Sequence, residues 1–190
     1  FVDNTPPTTV KTYGDPRCYQ DAEKQVDQKQ LNCIYSLGLE PKSPGTAFPW
    51  DVQRFRPNAS NLCAVNLSLG WTSGAVITVE IWEWRMGNPW PPTAPIASIT
   101  SPLSGSLTVG EGAPAWVQID FPEPIPVDGS VNNYYIAVYT NTNGNAAWFG
   151  YIPDVDEGYD YTWRDNDNHD AVDAWDYAFK TYYIPPPLPY

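Results

Sequence analysis

From Phe48 onward, short apolar runs recur along the chain, each bounded by Gly, Pro, Asn, Asp or Ser: residues 52–55, 62–69, 75–84, 96–99, 106–109, 115–121, 134–140, 146–152 and 176–184. Runs of that length and spacing make strands, and eight or nine of them make a sandwich or a jelly roll. In 75–84 one face carries Ile77, Val79 and Ile81, and the other Thr78, Glu80, Trp82 and Trp84. In 115–121 the split is Ala115, Val117, Ile119 and Phe121 against Trp116, Gln118 and Asp120. Only one face of each strand is uniformly aliphatic, as a two-layer packing with a wetter outer surface requires. With 190 residues, 42% hydrophobic and 15% aromatic, there is material for one core. The expected fold is all-β, a jelly-roll-like two-sheet sandwich over residues 47–184.

Residues 1–46 have little periodic apolar pattern and are expected to be an N-terminal arm. Within it Thr8, Thr9, Val10, Lys11, Thr12 and Tyr13 are β-branched or aromatic in the main and make a candidate donor strand. Residues 21–30 are a short polar helix candidate. The other end, 185–190, is Pro-Pro-Pro-Leu-Pro-Tyr and is expected to be polyproline II. Starting at Phe1 rather than Met, the chain is expected to be a mature, processed product.

A net charge of -12 and a pI near 4.2 argue against nucleic acid or an anionic membrane as partner and make cations the natural ones. No apolar run reaches the roughly 20 residues of a membrane span. The charge is concentrated. Between 154 and 176 stand Asp154, Asp156, Glu157, Asp160, Asp165, Asp167, Asp170, Asp173 and Asp176 against the cation Arg164. Crowded carboxylates raise one another's pKa and repel, so an ordered loop of this kind is neutralised by a hard divalent ion or splayed into solvent. Residues 165–176 begin like an EF-hand loop, but the sixth place is Asp170 instead of Gly and the twelfth is Asp176 instead of Glu. An irregular Ca2+ site drawing on Asp154, Asp156, Asp165, Asp167, Asp173 and Asp176 is favoured over a solvated loop.

Alternation in 62–69 turns Cys63 inward with Val65, Leu67 and Leu69, so it reads as a buried thiol. Cys18 and Cys33 lie in the irregular arm and are paired here as a disulfide. Sequons at Asn58 and Asn66 are candidate glycosylation sites and fit a secreted, extracellular protein.

Catalysis has little to work with. His169 is the sole histidine and lies in the acidic segment, so no Ser-His-Asp set presents itself. Glu80 and Glu83 point to opposite faces of one strand and cannot flank one glycosidic bond. Zinc has no ligand set. Glu80, Trp82 and Trp84, by contrast, share an outward face where flat rings beside a carboxylate suit a sugar. The competing reading, and the favoured one, is that these rings are covered by the arm or by a neighbouring subunit.

The order of features over residues 52–182 resembles a secreted bacterial β-sandwich module of cell-surface and matrix proteins. The matching residues are Gln53-x-Phe55; Val79-Glu80-Ile81-Trp82 followed by Gly87-Asn88-Pro89; Trp116-Val117-x-Ile119-x-Phe121; Asn133 to Val138; and the closing Asp176-Tyr177-Ala178-Phe179-Lys180-Thr181-Tyr182, like the D-x-A-F-(K/R)-T-Y ending of those modules. The resemblance implies a jelly-roll-like sandwich and an extracellular, non-catalytic role without a defined ligand. The arm, the acidic segment and the Pro-rich end depart from it.

The leading expectation is therefore a structural subunit, not an enzyme, that binds copies of itself head to tail into a filament or matrix and is calcium-stabilised. The alternative is a carbohydrate-binding module with glycan partners.

Overall fold

Alternation of aliphatic and polar residues becomes two antiparallel sheets stacked face to face. The computed structural model describes residues 24–31, 35–42, 51–85, 94–107, 114–130, 132–142, 145–151, 162–163 and 176–185. Its strands are β1 (Gln25–Gln30), β2 (Tyr35–Gly38), β3 (Asp51–Phe55), β4 (Asn61–Trp71), β5 (Val76–Arg85), β6 (Ala97–Pro102), β7 (Ala115–Pro126), β8 (Asn132–Thr140), β9 (Ala146–Tyr151), β10 (Thr162–Trp163), β11 (Asp176–Tyr177) and β12 (Phe179–Tyr183). Among the described residues there is no helix long and apolar enough to cross a membrane.

β4 is the axis of the first sheet. β7 runs along one of its edges, from Leu69 opposite Ala115 to Asn61 opposite Pro126. The other edge is shared: β12 pairs with residues 64–67 and β9 with residues 69–71. β1 extends this sheet beyond β12, and β2 and β11 extend it beside β9. The second sheet has the order β10-β3-β8-β5-β6.

The inward faces expected for 75–84 and 115–121 are observed, but in 62–69 it is Leu62 and not Cys63 that joins Val65, Leu67 and Leu69 in the core, because the ladder to β7 shifts register between Leu62 and Ala64. Ile77, Val79 and Ile81 meet Val65, Leu67, Leu69, Val117, Ile119, Phe121, Ile136 and Val138 in one core cluster. Each such side chain removed from water contributes about 1.5–3 kcal/mol.

The arm differs from expectation. Its helix candidate is the edge strand β1, because Gln25 to Gln30 find a ladder along β12 from Tyr183 to Phe179, and tertiary pairing outweighs a weak helical preference. β2 pairs with β9, so residues 25–30 and 35–38 belong to the sandwich and its boundary falls well before residue 47. Thr8 to Tyr13 and residues 186–190 lie outside the described residues, as do Cys18 and Cys33. Of the run 106–109, Leu107 makes an isolated bridge to Trp71.

At one end of the sandwich the turns 56–60 and 127–130 touch. The backbone of Gly129 lies so close to Pro57 that a Cβ there would sit 1.9 Å from the Pro57 carbonyl oxygen. A glycine is demanded by space, not by φ.

Candidate functional site

The outer face of the second sheet carries the residues singled out for sugars. Strand alternation places Glu80 and Trp82 on the same side of β5, with Ala137 and Tyr135 of β8 beside them and Val52 of β3 beyond. Val52, Trp82, Tyr135 and Ala137 form a second apolar cluster, with Trp84 packed against it. The chain leaving β2 then crosses to this face. Leu39 is buried and donates its N–H to the Ala146 carbonyl at 2.8 Å, and Glu40 accepts from Thr140 N–H at 3.2 Å. That path delivers Lys42.

Lys42 Nζ lies 3.3 and 3.4 Å from the two Glu80 oxygens and 5.5 Å from the ring centroids of both Trp82 and Tyr139. The Glu80 carboxylate also accepts from Trp82 Nε1 at 3.0 Å and from Tyr139 Oη at 3.0 Å. Glu80 is 4% exposed and Trp82 fully buried. A buried carboxylate is tolerable only with such donors around it. Burial and then the Glu80 charge push the Tyr139 phenol up to about 12. The sugar platform is thus corrected: Glu80 and Trp82 have no surface to offer, and the residue that closes them belongs to the region expected to form the arm.

The outer face of the first sheet is closed in the same manner. Lys24 forms an ion pair with Asp120, both side chains 3% exposed, and Gln118 Nε2 donates to the same carboxylate at 2.9 Å. Lys180 of β12 reaches across β4 to Trp116 of β7, Nζ 4.4 Å from the ring centroid. Burial, followed by the nearby Lys29 charge, holds the Lys180 amine below the usual lysine value. Beneath these bridges Asn66 is 4% exposed, with its amide 3.5 Å from Tyr182 Oη. No glycan fits there, which removes Asn66 as an acceptor in the folded chain. Asn58 is exposed. It lines a cleft of about 600 Å³ between the 56–60 and 127–130 turns. There Asp128 accepts from Ser130 Oγ at 2.6 Å and Ser130 N–H at 3.0 Å, and these bonds hold its carboxyl below the ordinary range.

Where the closing strand switches partners, polar groups link the sheets. Tyr177 of β11 donates its hydroxyl to Asp51 at 2.8 Å and its backbone N–H to Gln53 Oε1 at 2.7 Å. Ala178 N–H donates to the Phe149 carbonyl, while the Ala178 carbonyl accepts from Ser68 N–H and from Trp148 Nε1. Asp51, Lys42 and Tyr139 are not marked by the sequence, and Gln53 only as part of the resemblance. The one signal for Lys42 is that Glu80, if buried, needs a counter-charge.

Asp154, Asp156, Asp165, Asp167 and Asp173 lie outside the described residues, and for Asp176 only the backbone is described, opposite Tyr151. Among the described residues no three His, Cys, Asp or Glu side chains gather as metal ligands. Cys63 is a buried thiol, with Sγ 3.6 Å from Asn61 Oδ1.

Compared with known proteins, the chain matches no family model, no curated protein and no solved structure.

Proposed function

We propose that the chain is an extracellular structural subunit that polymerises by adding its N-terminal arm to the sheet edge of a neighbouring copy. The observation that carries this reading is the closure of both outer faces by the chain's own lysines: Lys42 on one, Lys24 and Lys180 on the other. A sandwich whose faces are sealed keeps its edges as the surface through which it recognises a partner, and an extended segment is what an edge takes. Arm-to-edge contact is heterologous and need not close, so it propagates into a filament.

Calcium in the 154–176 segment belongs to this proposal through its carboxylate density, and secretion through the resemblance and the Asn58 sequon. The carbohydrate-binding alternative has less support, since Glu80 and Trp82 are buried under Lys42. Electron microscopy and size exclusion of the purified chain, alongside a chain lacking residues 1–14, test the reading. Filaments from the full chain and folded monomers from the truncated one are expected; filaments from both, or from neither, overturn it.

A further inference from the structure

An edge strand open to another chain is normally guarded by charge, proline, a bulge or brevity. β1 carries Lys29 and a register shift between Val26 and Gln28. β7 carries Pro122, Glu123, Pro124 and Pro126. β10 and β11 have two residues each and β2 four. β6, Ala97-Ser98-Ile99-Thr100-Ser101-Pro102, has no charge and no bulge, and among the described residues no strand pairs with its far edge. Among the described strands it is the least guarded edge, with Pro102 at its end as its one guard.

The core is also incompletely covered there. Ala97 and Ile99 face inward opposite Ile81 and Val79, yet both are only partly buried, as is Trp71 where β4 ends on the same flank. Ile96, just before β6, is 43% exposed. Ser101, facing inward at 2% exposed, has a hydroxyl with no hydrogen-bond partner among the described residues. Ala97 and Ile99, only partly covered beside a ladder that no further strand among the described residues extends, leave room for one more strand.

We infer that β6 is the acceptor edge and that its occupant is the segment Thr8 to Tyr13 of a second copy, an inference that rests on the filament reading above. Leu103 N–H donates to the Ala75 carbonyl, so alternation turns the backbone groups of Ser98 and Thr100 outward. Pro102 takes the next outward place, where its missing N–H costs nothing to β5. An antiparallel arm with Val10 opposite Ile99 sets Thr8 opposite Ser101 and Thr12 opposite Ala97. On the other face Thr9 then meets Thr100, Lys11 meets Ser98, and Pro7 meets Pro102, so two residues without N–H groups coincide where the ladder stops. Twenty-three residues precede Lys24. The link from Tyr13 to Lys24 spans up to roughly 36 Å when extended, enough to leave its own domain.

The test is disulfide trapping in the full chain. Thr9→Cys combined with Thr100→Cys, both on the solvent side of the proposed pair, should give a covalent ladder of multimers under mild oxidation, whereas the unsubstituted chain and Thr9→Cys with Lys29→Cys should not. Thr100→Pro, which removes one outward N–H, should abolish polymer while the tryptophan emission of the folded monomer is retained. A ladder from the Lys29→Cys pair instead places the acceptor at β1 and overturns this inference while filaments persist. A link within one chain, or filaments with no link at Thr100→Cys, also overturns it. Absence of filaments from the unsubstituted chain sinks the filament reading itself and this inference with it.

Discussion

The Trp148 indole lies flat against the Tyr177 ring, with centroids 4.2 Å apart and planes within 9°, at the point where the closing strand leaves β9 and joins β4. Both rings are fully buried. Stacking fixes the pair in place, and each ring then spends its polar handle differently: the indole on the Ala178 carbonyl in its own sheet, the phenol on Asp51 in the other.

Tyr177→Phe keeps the stack and deletes the bond to Asp51, whose carboxylate stays buried. Loss of about 2 kcal/mol is expected, the cost of removing a buried donor from a charged acceptor. Denaturant titration reads it directly, and an unchanged midpoint would show that the hydroxyl contributes nothing to joining the sheets.

Lys42→Ala should expose Trp82, shifting tryptophan emission to longer wavelength, and should cost about 3 kcal/mol because the buried Glu80 carboxylate loses its cation. If the emission is unmoved, Lys42 does not seal that face.

Tyr139 supplies a pH dependence. Its folded pKa of about 12 lies above the ordinary value of 10, so the folded state retains the proton longer than the unfolded chain. Its contribution is therefore complete below pH 10 and is lost as pH rises through about 12. The stability difference between the chain and Tyr139→Phe should shrink across that window; a difference constant from pH 9 to 12 contradicts the assignment.

Gly129→Ala forces a methyl group against the Pro57 carbonyl. Overpacking of this kind costs roughly 1–3 kcal/mol, and the turn has to shift to relieve it. Thermal unfolding of Gly129→Ala beside Gly105→Ala, at a glycine with φ of 70° and open space, separates crowding from backbone strain.

Calcium, if held by the 154–176 carboxylates, stabilises the fold by about 2.7 kcal/mol at a hundredfold excess over Kd. Melting should fall on chelation with EDTA and return on adding calcium. An identical melting curve, with no metal found by elemental analysis, rejects the site.

Where a strand is buried on one or both faces, its pattern announced it. β4, β5, β7 and β8 coincide with apolar runs because Val, Ile, Leu and aromatic residues must alternate toward the core. β1 was illegible for the opposite reason: Gln-Val-Asp-Gln-Lys-Gln holds one aliphatic residue, and its strand state comes from β12, at the far end of the chain, including the Gln28 N–H bond to Thr181 Oγ1. The outer face of β5 was half legible. Alternation showed that Glu80 and Trp82 share a side, but what covers a face is not written in the strand that owns it, and Lys42 comes from 38 residues upstream.

Gln25 pairs with Tyr183, so the first described strand starts where the last one ends. Tension applied between those two points would peel β1 from β12 one hydrogen bond at a time, a weak arrangement. Tension entering at Gln25 and leaving through β6 would instead pass across the stacked sheets and load many bonds together. In the filament proposed above, load handed from arm to edge would leave the subunit through β6 and not along the β1–β12 pairing.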